Sequence, residues 1–160
     1  MSTLPPDLSL TIVRMLDAPP ELVFEAWTSA DHAKRWWYPR QGGQDFACTS
    51  FAMDFRVGGA YRYSIRSPAG QESWASGVFR TIEAGRRLEF TFRWEVAPED
   101  FDETLITVTF EPQGRAGTLL TFTQAPFACV EMRDGHVGGW GAVLDRLAED
   151  VARRHEGGAR

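Results

Sequence analysis

The side chains that could do chemistry are few and scattered. His32, His136, His155, Cys48 and Cys129 share no spacing that a metal ion would need, so neither a metal nor another cofactor is expected. No serine or cysteine sits in a nucleophile elbow and no two acids stand out as a pair. A Ser/His/Asp triad could be drawn only by arbitrary choice. His136 is the one histidine that the elements described below bring near a cavity. An imidazole with an ordinary pKa of about 6.5 suits a general base, but the plainer reading, a partly exposed histidine at a helix start, is preferred. Arg14, Asp54, Glu72 and Arg93 fall on strands. On a solvated face they add little; any that turned inward would need a partner and would set the polarity of a ligand. The segment GHVGGWG at 135–141 is glycine-rich, yet it does not follow a strand in a βαβ unit and is no phosphate loop.

What the chain has in quantity is aromatic rings, with 11 Phe and 6 Trp among them. Trp37, Phe55, Tyr61, Tyr63, Trp74 and Phe79 are candidates for the lining of a small-molecule pocket. So are Phe90, Phe92, Trp94, Phe110 and Phe122. Any one ring reads better as core packing. The set reads as a pocket, because ligand cavities are mainly apolar and aromatic with a few polar handles. Tyr61, Tyr63, Trp74 and Trp94 each carry a polar atom that wants a partner when buried, a demand leucine would avoid. His136, Gly139, Trp140 and Leu144 complete the candidate lining from the C-terminal segment. Of the neighbours Trp36 and Trp37, one is expected to plug the core and the other to face the pocket mouth or solvent.

The elements that must hold these residues follow from the periodicity. Residues 8–16 read as a first strand. Asp17, Pro19, Pro20 and Glu21 are helix-start chemistry, and Val23 and Trp27 at i, i+4 give that short helix one buried face. A second short helix is capped by Thr28 or Ser29, carries Asp31 in its first turn and ends before Pro39. From about residue 45 to 125 the pattern alternates with a period of two. Strands are expected at 51–57, 60–66, 72–83, 88–96, 104–110 and 118–124, with turns at Gly58-Gly59, Pro68-Ala69-Gly70 and Ala84-Gly85. Leu88, Phe90, Phe92, Trp94 and Val96 share one face of the clearest strand. Short connections imply an antiparallel meander, and its greasy face needs a cover. Val137, Trp140, Leu144, Leu147 and Val151 recur at three- and four-residue steps and form that cover, a helix of some 20 residues and about 30 Å. Gly135 and Gly138 either precede this helix or lie in it. In the helix they would leave room for close backbone approach or for a ligand beside Trp140.

Composition sets the outer bounds. A chain of 160 residues with 43% hydrophobic residues builds one domain, placed at 8–154 with flexible ends at 1–7 and 155–160. The net charge of −5 argues against nucleic acid as a partner, and the basic-aromatic cluster HAKRWW at 32–37 is too short to reverse that. No signal-peptide pattern is present, and no apolar run approaches the ~18 residues of a membrane span. A cytoplasmic setting is therefore expected, with no membrane insertion and both cysteines buried and reduced.

The ordered segments APPELVFEAWT (18–28), RWWYP (35–39), DFRVGGAY (54–61), GVFRTI (77–82), RLEFTF (87–92), TVTF (107–110), GTLLTF (117–122) and GWGAVLDRL (139–147) resemble the activator of Hsp90 ATPase homologue 1-like (AHSA1-like) branch of the START/Bet v 1-like (SRPBCC) superfamily. The resemblance implies an α+β helix-grip fold, β-α-α-β6-α. In it a seven-stranded curved antiparallel sheet wraps around a long C-terminal helix, with two short helices after strand 1 and a cavity between sheet and helix. Superfamily members commonly hold hydrophobic small molecules there. The leading expectation is thus non-enzymatic binding of a small apolar or amphipathic molecule, lipids included, by a monomer or homodimer. A cyclase- or aromatase-like enzyme using the same cavity comes second. A chaperone-associated role comes third, because relatives that stimulate the Hsp90 ATPase carry an additional N-terminal domain and this chain opens at its first strand.

Overall fold

The computed structural model describes residues 8–41, 43–96 and 103–158. Strand β1 (Leu10–Leu16) leads into two short helices, α1 (Pro20–Glu25) and α2 (Ala30–Ala33). A small ribbon, β2 (Arg40–Gln41) with β3 (Gln44–Asp45), precedes the meander of β4 (Ala47–Met53), β5 (Ala60–Arg66), β6 (Glu72–Glu83), β7 (Arg87–Trp94), β8 (Thr104–Gln113) and β9 (Gly117–Ala125). Helix α3 (Val130–Gly158) closes the fold. The main sheet is antiparallel with the order β1-β9-β8-β7-β6-β5-β4. It curls around α3, the helix-grip arrangement with its seven-stranded sheet and two short helices after β1. The ribbon β2–β3 is an addition that the period-two pattern did not carry, because each strand is only two residues long.

Local chemistry explains the element ends. Helix α1 opens without a side-chain cap: Pro19 is the cap residue and Pro20, which has no N–H to leave unpaired, starts the first turn. Asp17 therefore lies outside the helix start. In α2 the Ser29 hydroxyl accepts from the His32 N–H at 3.2 Å, so Ser29 and not Thr28 is the cap. Strand β4 stops at Met53, short of the expected 57. The glycines at 58 and 59 are not a two-residue turn; they close a longer loop, 54–59. There the Gly59 N–H donates to the Arg56 carbonyl at 2.8 Å, and a Cβ on Gly59 would lie 2.0 Å from the Asp54 carbonyl oxygen. Strand β7 ends at Trp94, and Val96 is 97% exposed instead of sharing the inner face.

Helix α3 has 29 residues, about 44 Å at the usual rise, and is longer than its apolar stripe suggested. Gly135, Gly138, Gly139 and Gly141 all lie inside it, and residues 155–158, expected as part of a flexible end, are helical. Residues 1–7 and 159–160 fall outside the described chain. The stripe is shifted as well. Val137 is 40% exposed, and Val143 is buried beside Trp140, Leu144, Leu147 and Val151. Both cysteines are free and half-buried rather than buried.

One part of the core forms where α1 and the residues after α2 meet the sheet. Trp27 meets Trp36 edge-on at 4.6 Å and Phe110 at 6.3 Å, and Phe24 meets Phe110 at 5.5 Å. Such pairs add about 0.5–1.5 kcal/mol beyond the area they bury. At the centre the ladder between β6 and β7 breaks. It runs through Ala75↔Trp94 and Ser76↔Arg93 and resumes at Phe79↔Phe90. In the gap the Val78 N–H donates to Thr91 Oγ1 at 2.9 Å, and the Tyr61 hydroxyl donates to the Thr91 carbonyl at 2.6 Å. Side chains thus take up main-chain groups that the ladder releases.

Candidate ligand-binding cleft

A cleft of about 470 Å³ lies between one half of the sheet and the first half of α3. Helix α3 contributes Met132, Gly135, His136, Gly139, Trp140 and Val143. Their three- and four-residue steps make one helix face. Two of the six are glycines four residues apart, so this face is cut back where the sheet would otherwise be touched. A Cβ at Gly135 would meet nothing within 4 Å, and one at Gly139 only the Pro39 Cβ at 3.7 Å. The glycines therefore hold space open; they are not needed for close backbone packing.

The sheet side presents Tyr63 and Ile65 of β5, Ser73 of β6 and Trp94 of β7, with Phe46 just before β4. Alternation along a strand puts Tyr63 and Ile65 on the same face. The segment after α2 supplies Trp37, Pro39 and Arg40. Trp37 is only 3% exposed and forms part of the wall, stacked on Trp36 at 5.2 Å and edge-on to Phe51 at 5.2 Å and Trp140 at 5.9 Å. Both tryptophans of the pair are buried: Trp36 plugs the core and Trp37 faces the cleft, the first of the two alternatives expected for it.

The polar atoms around the cleft are mostly committed. The Trp94 Nε1–H donates to His136 Nε2 at 3.0 Å, and His136 Nδ1 lies 2.7 Å from the Met132 carbonyl oxygen. Because indole only donates, Nε2 is the acceptor and the proton sits on Nδ1, donated to Met132. Burial lowers the His136 pKa below its ordinary value, partly offset by the Met132 carbonyl. The imidazole is therefore a neutral bridge between α3 and β7. The Trp140 Nε1–H donates to Gln124 Oε1 at 2.8 Å, and the Gln124 amide donates to Thr104 Oγ1 at 2.9 Å. That buried chain fixes the Trp140 ring. Burial pushes the Tyr63 phenol well up, and the neighbouring Trp37 N–H offsets only part of this. The approach of that N–H falls short of a hydrogen bond, and Trp37 Nε1 is buried without a partner.

At the rim, Arg40 Nε donates to Asp45 Oδ1 at 2.9 Å across the β2–β3 ribbon, where the two residues are register partners. Asp45 also accepts from Arg146 of α3. Arg146 in turn donates to the Tyr38 carbonyl at 3.1 Å and lies over the Tyr38 ring at 4.4 Å. The Arg40 and Arg146 guanidiniums hold the Asp45 carboxyl below its usual range, with the Arg40 hydrogen bond the largest cause. Among the described residues no group of three or more His, Cys, Asp or Glu side chains is placed to hold a metal ion, and no helix is long and apolar enough to cross a membrane.

Of the residues singled out from the sequence, Trp37, Tyr63, Trp94, His136, Gly139 and Trp140 line this cleft. Phe92 and Phe122 stand behind Trp140, at 5.6 and 4.8 Å, and Phe90 stands behind Trp37 at 5.9 Å. Tyr61, Phe79, Phe110 and Leu144 are core. Phe55 has left its strand and packs on Phe79 at 5.0 Å and on Phe24 at 6.0 Å. Trp74 is a correction: it sits on the outer face of the sheet, with the Arg62 guanidinium 3.8 Å above its ring. Gly135, one of the two glycines read as leaving room if helical, also lines the cleft, and Pro39, Arg40, Phe46, Ile65, Ser73, Met132 and Val143 line it without having been singled out. The parity of Tyr63 could have found Ile65, and the helical phase of Trp140 could have found Met132 and Val143.

This geometry defines a helix-grip domain with an aromatic cleft along the first half of its long helix. The chain belongs to the family described as activator of Hsp90 ATPase homolog 1-like protein, whose model matches residues 17–152. Protein CV1439 from Chromobacterium violaceum has a solved structure with TM-score 0.78 and 26% identity, covering 90% of this chain and 96% of that one. The Mll3558 protein from Rhizobium loti is 31% identical, with TM-score 0.71 over 88% of this chain and 94% of its own. Protein NE0264 from Nitrosomonas europaea, at 22% identity, TM-score 0.77 and coverage of 96% and 99%, shares the fold. No curated protein matches the chain significantly.

Proposed function

We propose that the protein binds a small apolar or amphipathic molecule in the cleft between the sheet and α3. The observation that carries this reading is the cut-back face of α3. Gly135 and Gly139 keep about 470 Å³ open against a wall built from Trp37, Tyr63, Trp94 and Trp140. That volume falls within the usual range for small-molecule sites, ~300–1,000 Å³, and so does the lining of rings with a few polar groups. A merely structural helix would fill the same face with leucine, as the second half of α3 does at Leu144 and Leu147. The curled sheet of the family fold supports the same reading. The site binds and does not catalyse, because both nitrogens of His136 are engaged by protein groups.

The test is native mass spectrometry of the purified protein for a retained molecule, followed by a thermal-shift screen of lipids and aromatic compounds. Three tryptophans face the cleft, so a true ligand also changes the intrinsic fluorescence. A protein that carries nothing and shifts with nothing in the screen overturns the reading.

A further inference from the structure

Resting on the reading of the cleft as a ligand site, we infer that its ligand is an amphipathic anion, an aromatic or aliphatic body with a carboxylate seated at Arg40. Among the described residues, Arg40 is the one lining the cleft with a permanent charge, and no Asp or Glu lines it. Its Nε is taken by Asp45, while its two terminal nitrogens have no partner among the described residues. Those nitrogens form the planar fork that a carboxylate accepts from in a bidentate manner. Asp45 does not neutralise the rim, because it is shared between Arg40 and Arg146. Farther out, Asp145 is held by Arg14 at 2.9 Å, and the exposed Glu149 also acts on Arg40, so the selectivity rests on the open fork of Arg40 and not on a net charge of the rim.

The rest of the lining cannot select a charge. Trp94 and His136 spend their polar atoms on each other, Trp140 spends its N–H on Gln124, and Ser73 and Tyr63 are neutral hydroxyls. A cationic head group would meet only the guanidinium, at a loss. A neutral one would accept from the guanidinium but form neither an ion pair nor the paired bonds of a carboxylate. The guanidinium is also held ready: the ribbon places Arg40 opposite Asp45, and Asp45 is tied to α3 through Arg146. A donor already fixed in place loses little freedom when it binds.

The experiment compares naphthoate, naphthylmethanol and naphthylmethylammonium, and in parallel decanoate, decanol and decylammonium, by titration calorimetry on the full chain. The acids are expected to bind about tenfold more tightly than the alcohols, the low end for a charge-assisted bond at a half-exposed site, and the amines most weakly. Arg40→Gln is expected to remove the acid preference, the acids losing about tenfold more affinity than the alcohols. Its melting curve reports on folding, and Asp45 keeps Arg146 as a partner in that variant. High salt should shrink the preference in the unaltered protein, an independent readout if the variant proves unstable. Equal binding of acids and alcohols, or a preference that survives Arg40→Gln, overturns the assignment to Arg40 and leaves the cleft as an apolar site. No binding of any probe overturns the cleft reading and the inference with it.

Discussion

Two residues, His136 and Trp94, join the helix to the sheet at the cleft through one hydrogen bond, and that bond needs a neutral imidazole. Burial already disfavours the cation and holds the His136 pKa below that of an unfolded histidine. The sign of the linkage follows. The unfolded chain takes up this proton first as pH falls, so stability from this site is complete above about pH 6.5 and is lost as pH drops toward the lower folded value. Titration followed by the His136 ring resonances should give a midpoint below 6.5. In Trp94→Phe the donor to Nε2 is gone, the neutral form loses a bond, and the midpoint should move up. An unmoved midpoint would mean the Trp94 contact does not hold the tautomer. A second residue-scale prediction concerns Gly77. Its missing side chain admits the Thr91 carbonyl, since a Cβ there would lie 1.8 Å from that oxygen and 2.7 Å from Tyr61 Cε1. Both neighbours are fixed, one as backbone and one by its bond to Thr91. Gly77→Ala should therefore destabilise by about 2–3 kcal/mol in urea unfolding. A loss below about 0.5 kcal/mol would show that the β6–β7 break relaxes freely.

The elements divide into those whose hydropathy carries their structure and those whose structure depends on what is absent. Strands β5 to β9 were legible because each alternates and one face is buried, as Leu88, Phe90 and Phe92 show. The same rule, applied strictly, would have excluded Trp74. It is five residues from Phe79 on one strand, so the two cannot share a face, and Phe79 is buried while Trp74 lies outside under Arg62. The sequence gives no such cue for β2–β3, whose pairing rests on Arg40 and Asp45, or for the end of β4, where the Asp54 carbonyl turns back toward Gly59. In α3 the cleft face was hard to read because part of it is glycine, and glycine leaves no mark in a hydrophobic stripe. The stripe therefore points to Val137, which is 40% exposed. The glycines now make separable predictions. Gly138 points into open space, so Gly138→Ala should stabilise by about 0.5–1 kcal/mol and leave ligand binding alone. Gly139 borders the cleft with only Pro39 near it, so Gly139→Leu should abolish binding while the melting temperature holds. If Gly139→Leu unfolds the chain, the position serves packing and not space.

Across the whole molecule, α3 is two helices in one. From Trp140 onward it is anchored by Trp140, Val143, Leu144, Leu147 and Val151, all buried, and even Asp150 is only 5% exposed there. From Val130 to Gly139 no described residue is fully buried, and three of the ten are glycine. The first half has little packing to hold it and the lower helix propensity, so it should open locally at a free energy well below global unfolding. Hydrogen exchange on the free protein should show the amides of 131–139 exchanging much faster than those of 143–151 and of central β7 and β8. A ligand in the cleft touches the weak half through Met132, Gly135, His136 and Gly139. Binding stabilises the folded state as a whole by mass action, which slows every amide that exchanges through global unfolding. It must also close the local route, because the open first half of α3 cannot hold the ligand. The gap in protection between the two halves should therefore narrow when an acid probe is bound. A ligand that slows the core amides and leaves 131–139 as fast as before would be seated somewhere other than this cleft.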